Sequence, residues 1–317
     1  MASRTPVEND YPVRIAQMYY LEDKSQAEIA KIVGVSRPQI SKLLMKAREL
    51  GIVTISVAQV SDRIRNYEIM LCQQYLLKYC RVVPDGATVL ETEKAVGHNV
   101  IEILEELHSE VHTVGVGWGA MLNKICEHAP IQDTVDPDSA VVPLIGSLNA
   151  TNNGYNTNEL VRKYGLMLGM APYYLYAPAF PQARIDQEQF QETRNFCQIS
   201  EYWDTMDLAL FRINVYPCVP DIATSSRYGN ALIEKKAVGT ILSNFYDIRG
   251  QIIPAEDDCS ICITREQFLR TPIRLGVCAS TTTPQSVLGA LRTSLVTHLV
   301  ISESLVREVL RLTGIMT

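Results

Sequence analysis

Apolar residues recur at helical spacing in three short stretches near the start of the chain. The first covers residues 13–21, and the other two lie on either side of Gly34. The apolar positions of the second and third stretches are Ile29, Ala30, Val33, Ile40, Leu43 and Leu44. Three amphipathic helices that pack through these positions would share one small core.

The polar residues between these stretches fit the ends of helices. Ser25 and Glu28 form a Ser-x-x-Glu capping box, which predicts the start of the second helix. Gly34 supplies the left-handed or tight turn after it, and Ser36 followed by Pro38 predicts the first turn of the third helix. Two helices joined by so short a turn predict a helix-turn-helix.

The pattern changes twice after the third helix. Alternating β-branched residues at Ile52–Val57 predict a strand, which would complete a winged helix or brace the third helix. A charged helical pattern over residues 58–70 then marks a boundary. We therefore expect a winged helix-turn-helix domain at residues 1–58, a linker or oligomerisation segment at 59–75, and a second domain at 76–317.

From Cys80 onward, short apolar runs alternate with helical stretches. The predicted strands are Cys80–Val83, Thr113–Val116, Ala140–Ile145, Tyr173–Tyr176, Leu208–Ile213, Ile273–Cys278 and Leu299–Ile301. The predicted helices lie near residues 92–107, 119–127, 157–170, 186–200, 230–243, 284–294 and 302–312. This alternation predicts an α/β domain with a mostly parallel, Rossmann-like sheet, in which ligands bind beyond the carboxyl ends of the strands.

Composition narrows the class of protein. The chain has 317 residues, of which 47% are hydrophobic, enough for about two domains with sizeable cores. No apolar run reaches the roughly 18 residues of a membrane-spanning helix, and the first ten residues lack a signal-peptide pattern. The eight cysteines are mostly isolated within apolar runs. We expect a cytoplasmic protein with reduced thiols and no membrane partner.

The net charge of −6 is unevenly distributed. Residues 1–58 hold eight basic and six acidic residues, a net of +2, so the remainder carries −8. Residues 29–48 contain five basic residues and no acid, which favours contact with a polyanion, although basic helix faces are often merely solvated. We predict binding to double-stranded DNA through Ser36, Arg37, Gln39, Ser41, Lys42, Lys46 and Arg48. Arg37 and Gln39 suit guanine and adenine in the major groove, whereas the lysines and Arg48 suit phosphates.

Three loops after predicted strands contain candidate ligand contacts. Gly117, Trp118 and Gly119 follow the second strand. They fit either a small polar ligand or a tight turn that packs the indole of Trp118. Met121-Leu122 departs from the glycine pattern of a dinucleotide-binding loop. A loop rich in short polar residues begins at Gly146. Four hydroxyls at 280–283 precede a helix, which they would cap unless they bind an oxygen-rich ligand.

These segments together resemble the SorC family of transcriptional regulators, which is related to deoxyribonucleoside regulators. The resemblance extends over nearly the whole chain and rests on Gln26–Ala30, Ser36–Leu44, Gly51–Val53, Val114–Gly119, Lys236–Gly239, Asn244–Gly250 and Gly276–Cys278. It implies a winged helix followed by a sugar-sensing domain similar in fold to sugar-phosphate isomerases and aminosugar-phosphate deaminases. It also implies tetramers that bind operators of sugar-catabolic genes.

The chain departs from the family pattern in three loops. Thr283 occupies the position of the lysine in the family's Gly-Gly-x-x-Lys ligand loop. Ile145 occupies the position where some members have a lysine that can form an imine with an aldehyde, so we expect no covalent adduct. Phe211–Asn214 replaces Val-Gly-Ile-Gly, and its Arg212 either clamps an anion or pairs with an acid. Without the lysine, a neutral sugar or sugar alcohol is favoured over a sugar phosphate. The predicted effector contacts are Gly117, Trp118, Gly119, Gly146, Ser147, Asn149, Arg212, Asn214, Asp247, Ser280, Thr281 and Thr283.

Other residue clusters point to no further chemistry. Cys259 and Cys262 form an isolated Cys-x-x-Cys and are interpreted as structural thiols, because a zinc site needs a second pair of ligands. His108 and His112 lie four residues apart without a metalloprotease pattern. We expect no metal and no cofactor.

The sequence therefore predicts a ligand-responsive transcriptional regulator of a carbohydrate or sugar-alcohol operon, not an enzyme. It would be a homo-oligomer, either a dimer or a tetramer. The alternatives are an isomerase-like or deaminase-like enzyme with a DNA-binding appendage, a regulator that senses a phosphorylated sugar, and a binding module without a response to effector.

Overall fold

The structure is a computed structural model that describes residues 11–50, 52–53, 60–127, 129–148, 156–217, 226–255, 258–278 and 280–314. The chain divides into two compact units, Met1–Gln59 and Val60–Thr317. Below, they are the small unit and the large unit. None of the described helices is both long and apolar enough to cross a bilayer.

The small unit contains the three predicted helices. They are α1 (Tyr11–Tyr20), α2 (Gln26–Val33) and α3 (Arg37–Glu49). Their buried core consists of Ile15, Met18, Ile29, Ile40 and Leu44. The predicted register of α2 and α3 is therefore confirmed. Most of the strand predicted at Ile52–Val57 lies outside the described residues, since only Ile52 and Val53 are described, and they form a bend.

The segment predicted as a linker is, from Val60, a helix of the large unit. Helix α4 (Val60–Tyr75) packs against the first strand of that unit, and its Tyr67 and Leu71 are buried in the large core. The linker prediction is corrected here. The charged residues of α4 (Asp62, Arg63, Arg65 and Glu68) all lie in its first nine residues, which gives the start of the helix a solvated pattern.

The large unit is built on a seven-stranded sheet in which every pairing is parallel. Its strands are β1 (Tyr79–Val83), β2 (Thr113–Val116), β3 (Asp136–Pro143), β4 (Met170–Pro172), β5 (Leu208–Arg212), β10 (Ile273–Val277) and β11 (His298–Ser302), in the order β1-β11-β10-β5-β2-β3-β4. All four residues of β2 are buried, as expected for a parallel sheet covered on both faces. The predicted Rossmann-like α/β fold is confirmed.

Helices connect these strands. They are α5 (Val89–Leu107), α6 (Ala120–Glu127), α7 (Thr157–Leu168), α8 (Arg184–Gln191), α9 (Arg194–Asp204), α10 (Ala231–Glu234), α11 (Arg265–Arg270), α12 (Pro284–Arg292) and α13 (Glu303–Leu312). The single helix predicted near 186–200 is two helices, because Thr193 caps α9 by accepting from the Phe196 N–H. The strand predicted at Tyr173–Tyr176 is wrong in position, since β4 lies at Met170–Pro172 and residues 173–176 are not in a strand.

The helix predicted at 230–243 is wrong. Only Ala231–Glu234 is helical, and the chain then forms a four-stranded antiparallel sheet of β6 (Asn214–Val215), β7 (Ala237–Ile241), β8 (Asn244–Asp247) and β9 (Ile252–Ile253). Leu242 makes the β7–β8 turn with a φ of 53°, a position where hairpins usually have Gly or Asn. The sequence thus lacks the usual turn signal. This small sheet packs against α12.

Candidate DNA-binding surface and effector cleft

Local hydrogen bonds fix the helix-turn-helix in the small unit. The Ser25 N–H donates to the Glu28 carboxylate at 2.9 Å, and the Glu28 N–H donates to Ser25 Oγ at 3.3 Å. Hydrogen bonds from Ser25 lower the pKa of Glu28. Gly34 ends α2 with a φ of 75°, in the left-handed region. The predicted capping box and turn glycine are confirmed.

Helix α3 buries one stripe and exposes the predicted DNA-contact residues. Ile40, Leu44 and Ala47 are buried. All seven predicted DNA contacts are exposed: Ser36, Arg37, Gln39, Ser41, Lys42, Lys46 and Arg48. Within the part of the chain that the structure describes, no carboxylate forms an ion pair with Arg37, Lys42 or Lys46. These three cations are therefore available to phosphates.

Gln39 has a structural role that the sequence did not reveal. Its side-chain carbonyl accepts from the Ser36 N–H at 2.9 Å and from the Ser36 hydroxyl at 3.0 Å, which completes a capping box on α3. A bidentate contact to adenine needs the amide oxygen and nitrogen together. The cap therefore competes with the predicted base contact.

Arg48 is also occupied within the small unit. Its Nε and Nη2 donate to the Tyr20 hydroxyl at 3.1 and 2.7 Å, which links the end of α3 to α1. The guanidinium edge that would clamp a phosphate is thus in use. Arg48 therefore has a packing role, and its contact with a phosphate stays a prediction.

In the large unit, β2 and β5 are neighbours in the sheet. The strands that extend the sheet from them lie on opposite sides of this pair. Strand β2 leads to β3 on one side, whereas β10 pairs with β5 on the other. A parallel sheet opens a ligand crevice at such a point, beyond the carboxyl ends of the strands. The Gly117–Gly119 loop and Arg212 both occupy this place. We call this region the effector cleft.

Gly119 lies against Arg212 in the effector cleft. Its φ is 138°, and a Cβ atom there would lie 3.1 Å from Arg212 Cδ. Both facts favour glycine. Trp118 is buried, and its ring meets Phe180 edge to face, with 5.7 Å between centroids. At Trp118 itself the structure has the tight-turn packing that the sequence left as an alternative.

Arg212 connects the cleft to the loop before α12. Its Nη2 donates to the Thr281 hydroxyl, while its Nε is buried and has no partner among the described residues. No acid of the described residues pairs with it, so the alternative of a salt-bridged Arg212 has no support in this structure.

The four hydroxyls before α12 serve different purposes. Thr283 caps the helix by accepting from the Ser286 N–H at 3.3 Å, and Thr282 donates to the Ile213 carbonyl at 3.2 Å. Ser280 donates to Glu93, which also pairs with Lys124 at 2.8 Å. Burial acts to raise the pKa of Glu93, but the hydrogen bonds from Lys124 and Ser280 lower it overall. Only Ser280 and Thr281 remain exposed for a ligand.

Ser280 and Thr282 also border a second cleft of about 420 Å³, at the carboxyl ends of β1 and β11. Its other walls include Asp85, Thr88 and Ser304. The hydroxyl of Ser304 donates to Asp85 at 2.7 Å. Asp85 and Ser304 therefore already bind each other.

Gly146 and Ser147 are held by backbone on two sides. The Gly146 N–H donates to the Ile261 carbonyl at 2.8 Å, and the Ser147 N–H donates to the Ala177 carbonyl at 3.1 Å. Gly146 is buried, and a Cβ there would lie 2.6 Å from Pro178. Its glycine is explained by this close packing. Asn149 lies outside the described residues.

Asp247 does not join the effector cleft. It accepts from the N–H groups of Arg249 and Gln251 at 2.9 and 2.8 Å, and so closes the β8–β9 turn. Its backbone lies beside Gly289, toward the carboxyl end of α12, whereas the predicted hydroxyls lie at the amino end. The turn gives Asp247 a structural role, and its contact with the effector stays a prediction. Asn214 is buried in β6, two residues after Arg212.

Sequence reasoning missed several residues near the cleft, among them Glu93, Phe180 and Arg227. No local motif marks them, since each comes from a different part of the chain. Cys259 is buried, and burial raises the pKa of Cys262 to about 12. Among the described residues, no group of three or more His, Cys, Asp or Glu side chains could hold a metal ion.

Comparison with known proteins extends these observations. A family model described as "Putative sugar-binding domain" matches residues 61–311. The chain is 28% identical over 287 residues to the sorbitol operon regulator of Klebsiella pneumoniae, covering 88% of this chain and 90% of that protein. It is 29% identical over 251 residues to the deoxyribonucleoside regulator of Bacillus subtilis strain 168, covering 76% and 77%.

The fold agrees with a solved structure over most of the chain. The crystal structure of the full-length sorbitol operon regulator SorC from Klebsiella pneumoniae superposes with a TM-score of 0.80 and 25% identity. The alignment covers 96% of this chain and 99% of that one.

Proposed function

The chain belongs to the sugar-binding family of SorC-type transcriptional regulators, and on that basis we propose that it is an operator-binding regulator whose DNA affinity is set by a carbohydrate effector. One observation carries the proposal. A helix-turn-helix whose second helix exposes Arg37, Lys42 and Lys46, none of them ion-paired among the described residues, is joined in one chain to a domain that matches the sugar-binding family model.

The DNA-binding half of the proposal rests on α3. Arg37, Lys42 and Lys46 are exposed, and Ser41 adds a donor between them. A helix of this kind enters the major groove, where its first residues meet base edges and its lysines meet phosphates. We assign base recognition to Arg37, with Gln39 contributing only if its cap opens.

The effector half rests on the β2–β5 crevice. Gly119 lies against Arg212, whose buried Nε has no partner among the described residues, and the hydroxyls of Ser280 and Thr281 are exposed. A ligand changes operator affinity only if it binds the DNA-competent and DNA-incompetent states differently. A coupling of about 1–3 kcal/mol would change operator affinity about 5- to 150-fold.

We further propose that the regulator is an oligomer without enzymatic activity. One small recognition helix buries little surface, and a two-fold dimer would bind half-sites about 34–36 Å apart or multiples of that distance. Light scattering with size-exclusion chromatography measures the oligomeric state. Turnover of a sugar phosphate by the purified protein would contradict the assignment as a non-enzyme.

Fluorescence anisotropy with the full-length chain tests the proposed function. The labelled duplex is the region upstream of the protein's own operon, and a shuffled duplex of equal length is the control. We expect specific binding that shifts at least about fivefold with one member of a panel of sugars, polyols and their acids and phosphates. Equal affinity for both duplexes would refute DNA recognition, and specific binding that no panel member changes would refute the effector role.

A further inference from the structure

Arg227 has an unusual environment in the large unit. It lies in a short 3-10 helix, Ser226–Tyr228, and its Nη1 pairs with Asp258 at 3.0 Å. Its guanidinium carbon lies 4.1 Å from the centroid of the Phe180 ring, and its side chain is only 14% exposed. Asp258 and Phe180 thus hold the guanidinium plane in one orientation.

The other edge of the same guanidinium is unused. Nε and Nη2 of Arg227 are buried, and neither donates to any described residue. Buried donors without acceptors destabilise a protein, and native structures nearly always pair them. The N–H groups of Nε and Nη2 point in parallel from one edge, so they match two oxygens of one planar or tetrahedral oxyanion.

Arg227 is connected to the effector cleft by direct contacts. Phe180, which it covers, meets Trp118 edge to face, and Trp118 precedes Gly119, which lies against Arg212. Nε of Arg212 is likewise buried and unpaired among the described residues. Arg212 and Arg227 therefore lie on either side of the Trp118-Gly119 turn, and each has buried N–H donors without an acceptor among the described residues.

We propose that the unused Nε/Nη2 edge of Arg227 binds a carboxylate or phosphoryl group of the effector in a bidentate manner. This inference rests on the proposed function, and it identifies the effector as an anionic sugar derivative. It revises the expectation of a neutral ligand, which considered only the lysine position now occupied by Thr283. Two adjacent hydroxyls of a neutral sugar could pair both donors only through uncharged oxygens, whereas an oxyanion pairs both with charged oxygens at the spacing of the fork.

The burial of this edge gives the interaction a regulatory consequence. An oxyanion reaches Nε and Nη2 only when the atoms that cover them move. The anion therefore binds more tightly to an arrangement other than the one described here. Such differential affinity is what an effector requires.

Three six-carbon probes separate the candidate groups: sorbitol is neutral, gluconate carries a carboxylate, and sorbitol 6-phosphate carries a phosphoryl group. Calorimetric titration and thermal unfolding of the full-length chain are compared at equal ionic strength. We expect one or both anions to bind more tightly than sorbitol, and the better anion identifies the group. Arg227→Gln should weaken anion binding at least about tenfold, because a charged, bidentate hydrogen-bonded pair is lost.

Two further variants keep the test decisive. Arg227→Lys retains the charge but lacks the fork, so it should also bind the anion at least about tenfold more weakly even if Arg227→Gln folds poorly. Arg270→Gln removes an exposed arginine paired with Asp204 at 2.7 Å and should leave anion binding unchanged. Tightest binding of sorbitol, no binding of either anion at millimolar concentration, or equal anion affinity in wild type and both Arg227 variants would overturn the proposal. Operator binding is measured separately without ligand, so a failure to bind DNA would refute the proposed function and leave the Arg227 result intact.

Discussion

The small and large units bury hydrophobic side chains on different scales. Among the described residues, five buried side chains form the core of the small unit, whereas the core of the large unit extends along a seven-stranded sheet and includes helices α4, α5 and α13. A small core leaves little stability to spare. Turns and helix caps therefore contribute a larger share of stability in the small unit.

The units also differ in whether their charged side chains form ion pairs. On α3, Arg37, Lys42 and Lys46 point to solvent and form no ion pair within the described residues. In the large unit, many charged side chains have partners, such as Glu93 with Lys124. Exposed unpaired cations favour a polyanionic partner, whereas paired charges serve packing.

The largest expected effect comes from the small core. Ile40→Ala should destabilise the small unit by about 2–5 kcal/mol, because it leaves a cavity that three short helices cannot refill. Hydrogen exchange should then lose protection across 11–50 and retain it across 60–314. Val300→Ala, in the buried β11, is the control that should leave both units folded. Loss of protection throughout the Ile40→Ala protein would contradict the independence of the two units.

Glycine substitutions sharpen the comparison between backbone strain and packing. Gly119→Ala should destabilise the large unit by about 1–3 kcal/mol and weaken effector binding, because it combines a φ of 138° with a close approach to Arg212. Gly34→Ala meets no atom within 4 Å and should cost about 1 kcal/mol from its φ of 75° alone. Chemical denaturation measures both. A larger cost at Gly34 than at Gly119 would contradict this account of the cleft.

Helix caps provide a matched pair across the units. Ser25→Ala and Thr283→Ala each remove a side-chain acceptor at a helix start and should each cost about 1 kcal/mol. The same loss should reduce DNA binding only for Ser25→Ala, because the small unit has less stability in reserve. Urea denaturation and duplex titration test this difference. Equal DNA binding in both variants at all temperatures would argue against it.

The smallest effect is a pH dependence confined to the large unit. Burial, together with the charges of Lys78 and Arg274, lowers the pKa of His298 to about 4. Below an unfolded pKa of about 6.5, the unfolded chain binds a proton that the folded chain excludes, so stability falls as the pH decreases from 6.5 toward 4. Because the ring is partly exposed, we expect a loss of about 1 kcal/mol. His298→Gln should flatten this part of the stability curve, and an unchanged slope would exclude His298 as the cause.

The two units also differ in how far their sequences predict them. The helix-turn-helix depends on neighbours in the chain, such as Ser25 with Glu28 and Gly34 at a fixed position, so local spacing suffices. The parallel sheet was predictable because its buried strands are continuous apolar runs. The antiparallel sheet was not, because the turn at Leu242 lacks the usual residues.

The candidate effector site was only partly predictable. Gly119 and Arg212 meet because β2 and β5 are adjacent, which the loop sequences alone do not state. Asp247 belongs to a turn at the other end of α12, and Arg227 enters through Phe180 rather than through a motif. Side-chain partners that are distant in sequence follow from topology, and only the folded chain specifies them.

The salt dependence of DNA binding tests the central claim most directly. The full-length protein is titrated with the duplex upstream of its operon over a series of salt concentrations, beside Lys46→Ala and a control, Lys235→Ala, which removes an exposed lysine of the large unit. We predict that log K falls linearly with log salt, and that Lys46→Ala alone reduces the slope by about one. A wild-type affinity that does not change with salt, or the same slope in all three proteins, would contradict the account of α3 as the DNA-binding helix.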